Sequence, residues 1–517
     1  MANKMIFPGS RTRLPSTDSA NEAGGTAYRL SAKHALAQYA ATGCLNGTYY
    51  AEAETQLEQV LNLCSQVEPE FIAYTAIWCR RHGGMKDMPA LLCAVLSVRG
   101  HEWLPVAFEQ VIDNGRMLRN FVQILRSGAL GRKSLGTMPK RLVQQWLNRA
   151  HEEMLLAAAV GNAPSLADIV KMVHPRPSEP WRSAFFAWLI GKPYDEAELP
   201  EALRDFEHYK REGGELPQVP FRMLTAQPLD DRAWATLAQR GGWQMIRMNL
   251  NSFRRHGVFE QPGMTNCLVK RLTDEKAIRK ARGFPYQLLT TYRSTTGVPE
   301  RIRDALERAM EIALTQVRRL PGRVVVCPDV SGSMHAPVTG WRPGATTTTR
   351  CVDVAALVAA AFLRKDRHTL VLPFEHDVVG LRLHQQATAM ENASRLAEIG
   401  GGGTDCSSPL RWLNRRKEKA ELVLLVSDNE SWIDAGRYRS SATLVEWERF
   451  RRRNPGAKLI CLDIQPYATS QAPEREDILN IGGFSDAVFS LIEHFAKGEL
   501  HAEHWVGLIE QQEAVAA

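Results

Sequence analysis

A chain of 517 residues, 44% hydrophobic and 23% charged, is too long for one hydrophobic core and too apolar to be disordered, so it predicts a soluble protein of two or more domains. No apolar run approaches the roughly 20 residues of a membrane span, and the N-terminus lacks the apolar stretch of an export signal; both predict a cytoplasmic protein with no membrane contact. The net charge of +7 is unevenly placed: 42 Lys/Arg face 32 Asp/Glu through residue 320, and 22 face 25 thereafter, so any bias toward polyanions lies in the first part.

In chain order, residues 1–28 read as a partly flexible N-terminal extension. Residues 29–319 read as helices. AYRLSAKHALAQYAA, TQLEQVLNLCSQV, EFIAYTAIWCRRH and their successors space apolar residues at three and four, with Gly, Pro and Asn between them. About 290 residues of short amphipathic helices cannot share one core, so helix pairs stacked into a solenoid are predicted.

At 320 the pattern changes, and 320–517 reads as a separate α/β domain. RVVVCPDV, HTLVLPFEHDVV, ELVLLVSD and AKLICLDIQ are apolar strands that alternate with helices such as CVDVAALVAAAFLR and CSSPLRWLNRRKEK. That alternation predicts a parallel sheet covered on both faces, a Rossmann-like doubly wound architecture. The nine cysteines are scattered without a C-x-x-C pair and predict reduced core thiols.

The first strand of this domain runs into Asp329, Ser331 and Ser333, a D-x-S-x-S loop at the carboxyl edge of the predicted sheet, where α/β folds place ligands. Thr404 follows four glycines at the mouth of a helix, and Asp428 ends the strand ELVLLVS. Two carboxylates and three hydroxyls suit a hard cation such as Mg²⁺, whose octahedron keeps a position for water or an outside acidic ligand. An Asp/Ser turn after a strand is by itself ordinary turn chemistry. Three such loops in order favour the metal site. The glycines allow the close backbone approach that brings Thr404 to the ion.

Acid-free basic stretches mark the helical part. Asp113 to Glu152 encloses Arg116, Arg119, Arg126, Arg132, Lys133, Lys140, Arg141 and Arg149; Arg232 to Phe259 holds Arg232, Arg240, Arg247, Arg254 and Arg255; Lys276 to Pro299 holds Lys276, Arg279, Lys280, Arg282 and Arg293, interleaved with Phe284, Tyr286 and Tyr292. One such run is explained by a solvated face balanced by acids from neighbouring helices. Three in one domain point to a phosphate track, with aromatics that either stack on unpaired bases or fill the core.

The metal loops resemble the metal-ion-dependent adhesion site of von Willebrand A domains: Asp329, Ser331 and Ser333 match its first loop, Thr404 its second and Asp428 its third. That likeness implies recognition rather than catalysis. With Gly47-Thr48-Tyr49-Tyr50, SGALGRKSL, VHPRPS, GFPYQLLTTYRSTTG, CPDVSGSM, GGGTDCSSPL and SDNESW in order, the chain resembles the Ro ribonucleoprotein family, in which a TROVE module precedes a von Willebrand A domain. The resemblance implies HEAT-like repeats curled into a monomeric ring that the A domain closes. It also implies single-stranded 3′ ends of misfolded RNAs in the hole, small structured Y-like RNAs on the outer surface, and partners such as polynucleotide phosphorylase. His174 matches a histidine the family uses on Y RNA. Ala157 and Gly161 stand where animal members carry Lys and Arg, which implies a different footprint, with Arg132 and Lys133 as leading phosphate contacts.

The sequence therefore predicts a non-enzymatic RNA-binding protein of RNA quality control, or an RNA decay or repair scaffold. A metal-dependent protein-interaction scaffold without direct RNA binding is the rival. A nuclease using Asp329 and Asp428 would need more clustered carboxylates and a general base, and the motif supplies neither.

Overall fold

The computed structural model describes residues 14–281, 285–342, 349–381, 383–433, 439–500 and 504–512; Arg282 and Phe284, part of the third basic stretch, lie outside them. The chain divides into two compact units, Met1–Gln56 with Gln316–Leu508, and Leu57–Thr315 with Ile509–Ala517.

Between 57 and 315 the described residues form helices and turns and no strand. The punctuation read from sequence has a physical basis. Asn114 caps helix Gly115–Ser127 by accepting from the Arg116 and Met117 N–H groups, and Ser165 with Asp168 makes a reciprocal capping box at the start of helix Leu166–Val173. Helix Gly115–Ser127 is strongly two-faced: Met117, Leu118, Phe121, Val122 and Leu125 are buried, whereas Arg116 and Arg126 are exposed. Gly115 lets this helix touch helix Glu152–Ala159, because a Cβ there would lie 2.3 Å from that of Ala158.

The other unit is built on a five-stranded parallel sheet. Its strands are β3 (Val324–Pro328), β4 (Leu370–Val371), β5 (Leu422–Ser427), β6 (Lys458–Asp463) and β8 (Ile478–Gly482), in the order β4-β3-β5-β6-β8. Every residue of β3, β5 and β8 is buried, as expected of a sheet covered on both faces. A small antiparallel sheet joins β1 (Ser19–Ala20) and β2 (Thr26–Arg29) to β7 (Thr469–Ser470).

Thus the N-terminal segment packs with the sheet, whereas the sequence reading counted residues 29–56 with the helical part. Helix Ala32–Thr42 buries every residue from His34 to Thr42. Its Gln38 donates to Asp463 Oδ2 at 3.1 Å, and the His34 ring bonds the Asn480 carbonyl at 3.0 Å. An apolar helix covering a sheet edge is the economical way to shield β6 and β8 from water.

All nine cysteines are free. Among the described residues no helix is long and apolar enough to cross a membrane.

Candidate functional site

Three loops meet at the carboxyl edge of the sheet. Leaving β3, the Asp329 N–H donates to the Val426 carbonyl of β5 at 2.9 Å and the Val330 N–H to the Phe374 carbonyl at 2.9 Å. The glycine loop is laced to this turn: Gly401 N–H to Val330 O and Gly332 N–H to Gly402 O, both 2.9 Å. Gly400 has φ +85° and its Cβ would lie 2.2 Å from the Val330 carbonyl oxygen, so no larger residue lets the two loops approach this closely. Thr404 follows, and its carbonyl accepts from the Trp432 N–H of the third loop at 3.1 Å.

The side chains of Asp329, Ser331, Ser333, Thr404 and Asp428 are all buried. Asp329 Oδ1 accepts from the Ser331 N–H at 2.8 Å and Oδ2 from the Ser427 hydroxyl at 2.5 Å. The Ser331 and Ser333 hydroxyl oxygens lie 3.4 Å apart, and Ser333 hydrogen-bonds Asp428. Burial pushes the carboxyls of Asp329 and Asp428 above the ordinary range, and the charge of Asp428 pushes Asp329 further. Neither carboxylate has a basic partner among the described residues. Two buried acids facing each other without a counter-charge fit a cation bound between them.

Among the described residues no three His, Cys, Asp or Glu cluster as ligands, so a cation here would rest on two carboxylates supplemented by hydroxyls. That donor chemistry is the hard-oxygen set suited to Mg²⁺.

The sequence reading gave no role to Tyr50, whose phenol hydrogen-bonds Ser333 from the N-terminal segment. It also passed over Ser427, although that residue directly precedes Asp428. Three exposed aromatics belong to the segments around this edge: Tyr49 (53% exposed) beside Tyr50, Trp432 (47%) on the Thr404 carbonyl, and Trp341 (49%), paired by backbone with Gly47.

The second candidate lies in the helical unit. Helices Gly115–Ser127, Thr137–Arg149 and Leu166–Val173 and the loop before Thr137 surround an open basin of about 990 Å³. Arg126, Lys133, Lys140 and Arg141 line it, joined by Lys171, which the sequence reading had not singled out. None of the five makes an ion pair among the described residues. The basin's one acid, Asp168, accepts from the Ser165 hydroxyl and N–H, which holds its carboxyl below the usual range. Gln144, also on the wall, donates to the Val173 carbonyl at 2.6 Å and so ties helix Thr137–Arg149 to the end of helix Leu166–Val173, where His174 stands exposed with φ +54°.

Other predicted phosphate contacts lie elsewhere. Arg119 is buried, donates to the Ala158 carbonyl at 2.8 Å and packs on Gly161, so it braces two helices. Arg132 is half-buried, folds over Gly136 and donates to Ser97 Oγ at 2.7 Å, which shapes the basin's loop from behind. Arg116 is exposed on the first turn of helix Gly115–Ser127, outside the basin lining. Arg254 and Arg255 on helix Leu250–Arg255 and Lys276, Arg279 and Lys280 on helix Glu275–Lys280 are exposed and do not line the basin either. Arg279 is paired with Glu275, Arg149 with Glu109 and Arg240 with Glu215, while Arg247 is buried against Trp243, Gln287 and Thr291. Among the described residues, the first of the three acid-free stretches gathers cations without an ion pair at one hollow.

Comparison with known proteins places these sites in context. The family model described as Ro60 vWA domain matches residues 323–496. The chain is 25% identical to the RNA-binding protein RO60 of Deinococcus radiodurans over 94% of this chain and 97% of that one. It is 26% identical to the RNA-binding protein RO60 of Caenorhabditis elegans over 50% of this chain and 40% of that one. The crystal structure of the Deinococcus radiodurans RO (RSR) protein superposes with a TM-score of 0.60 at 21% identity, covering 91% of this chain and all of that one.

Proposed function

This chain is Ro-like in sequence and in fold along nearly its whole length, and on that premise we propose that it is a cytoplasmic RNA-binding protein with no catalytic activity of its own. One observation carries the reading: Arg126, Lys133, Lys140, Arg141 and Lys171 converge on one open basin, where five cations outnumber the one acid among the described lining residues, Asp168, which caps its own helix. A sugar-phosphate chain lying there neutralises several cations at once and releases its counterions, which supplies affinity with little sequence preference. The ligands we assign are small structured Y-like RNAs and single-stranded 3′ ends of misfolded RNAs, in RNA quality control or beside a processing enzyme such as polynucleotide phosphorylase. His174 stands at the end of a basin helix, and Ala157 and Gly161 offer no charge, so the footprint is centred on the basin. Nine free thiols suit a reducing compartment.

In the A-type unit, Asp329, Ser331, Ser333, Thr404 and Asp428 would hold Mg²⁺. When bound, the ion supplies a Lewis-acidic position for an anionic oxygen of a partner. The chain's own part is to keep these five groups dry and fixed through Ser427, Tyr50 and the laced glycine loop. Among the described residues no third carboxylate clusters with Asp329 and Asp428 as a metal ligand, so hydrolysis of RNA is not expected, and labelled RNA incubated with pure protein and Mg²⁺ should stay intact. The exposed aromatics Tyr49, Trp341 and Trp432 favour a second reading, a metal-dependent scaffold that binds proteins at this edge and no RNA.

Fluorescence anisotropy with labelled single-stranded RNA separates the two. Reversing Lys133, Lys140 and Arg141 to Glu should cost at least about tenfold in affinity. Unchanged RNA binding by the reversed variant would favour the scaffold.

A further inference from the structure

Helix Thr137–Arg149 has a hollow on each side. Its residues Lys140, Arg141 and Gln144 face the basic basin, whereas Gln145, Trp146 and Arg149 line a second cleft of about 390 Å³ with Phe108 and Met154. The two differ in chemistry. Trp146 is half-buried, and its indole N–H is engaged by the Ile112 carbonyl at 2.8 Å, so it offers the cleft ring surface and no donor. Phe108 is buried and Met154 half-buried, which makes the interior apolar. Gln145, Arg149 and His151 are exposed and bring donors and acceptors to the mouth. Two acids also stand at the rim: Asp113 is held by Arg80 at 2.6 Å, and Glu109 pairs with Arg149 at 3.3 Å in a contact that is largely solvent-exposed and therefore easily exchanged for another partner.

A flat apolar interior with hydrogen-bonding groups at its entrance matches a planar heterocycle, and the volume admits one nucleobase with its ribose. Position decides the class of ligand. Arg141 and Gln145 are one turn apart on the exposed side of the helix, about 6 Å along its axis, so a strand held in the basin passes the cleft within one residue of its own backbone. We propose that the cleft beside Trp146 takes one unstacked nucleobase of a single-stranded RNA whose phosphates lie in the basin. This rests on the basin being a phosphate track. The base adds affinity that salt does not screen, and it does so with little sequence preference because every base has an apolar face.

The test compares two strands of equal length, oligouridylate and its abasic counterpart, on the wild type and two variants. Trp146→Leu removes the ring; Met154→Phe narrows the cleft and leaves the Trp146 bond to Ile112 in place. Wild type should prefer the base-bearing strand, and each variant should shrink that preference by about five- to a hundredfold, the range for one stacked base, while binding the abasic strand as wild type does. Equal affinity of wild type for both strands, or a preference unchanged in Met154→Phe, overturns the base site and leaves the basin standing. Binding that survives reversal of Lys133, Lys140 and Arg141 would instead remove the phosphate track on which it rests.

Discussion

Ser427 donates its hydroxyl to Asp329 Oδ2 at 2.5 Å, so the last residue of β5 holds the first acid of the candidate metal centre from the neighbouring strand. The adjacent residue, Asp428, supplies the opposing carboxylate. Both acids are thereby fixed by strands of one buried sheet, and their separation does not depend on loop motion.

A cation should therefore stabilise this unit strongly. Mg²⁺ at a hundredfold excess over its Kd is expected to add about 2.7 kcal/mol to wild-type stability, read as a rise in Tm, and to add nothing to Asp329→Ala. RNA affinity of Asp329→Ala should remain within about twofold of wild type, because the basin belongs to the other unit. A parallel loss of Mg²⁺ and RNA binding in a folded variant would couple the two sites.

The N-terminal segment should be required for the A-type unit to fold. Without helix Ala32–Thr42, Asp463 loses Gln38, Asn480 loses His34, and buried apolar surface of β6 and β8 meets water. A fragment of residues 320–512 is expected to bind a hydrophobic dye and melt without cooperativity. Joining residues 14–56 to 316–512 should restore a cooperative transition.

Arg119 should act on stability and not on RNA. Its guanidinium is buried against the Ala158 carbonyl and Gly161, so Arg119→Met is expected to cost about 1.5–3 kcal/mol in denaturant unfolding. Arg126→Ala should do the reverse, lowering RNA affinity with unfolding unchanged. Swapped outcomes would mean that Arg119 reaches the ligand.

Glu474 should give the A-type unit a pH dependence. Burial pushes its carboxyl up to about 7 from an ordinary 4.5, although Oε2 accepts from the Asn480 N–H and side-chain amide at 2.9 and 2.8 Å. A folded value above the unfolded one means that, between them, the native state keeps a proton the unfolded chain has released. Stability from this group is then full below the lower value and falls as pH rises through the window, by at most about 3 kcal/mol. Glu474→Gln should flatten that fall, seen as a Tm gain at pH 8 that is absent at pH 5. A larger gain at pH 5 would contradict the assignment.

Much of this arrangement was legible in sequence, for identifiable reasons. β3, β5 and β6 are continuous apolar runs, and the Asp329 and Asp428 loops sit where strands must end, so the sheet and the meeting of these loops at its carboxyl edge could be read from residue order alone. β8 escaped because Ile478–Gly482 is short and carries Asn480, whose side-chain amide bonds Ala472 and Glu474. Helix Ala32–Thr42 was legible as a helix but not as part of the A-type unit, since its partners Asp463 and Asn480 lie more than 400 residues away in sequence. In the basin, charge was visible and burial was not. Arg119 and Arg126 share one acid-free run and, seven residues apart, one helix face, but Arg119 packs against the Ala158 carbonyl and Gly161 whereas Arg126 stands exposed on the last turn.

The central claim is that phosphates are held in the basin, and the salt dependence of RNA affinity tests it most directly. With four or five cations engaged, the logarithm of the association constant for single-stranded RNA should fall against the logarithm of salt with a slope of about −3. Changing Lys133, Lys140 and Arg141 to Gln should bring that slope about 2 closer to zero. A wild-type affinity insensitive to salt, or a slope identical in the triple variant, would contradict the account.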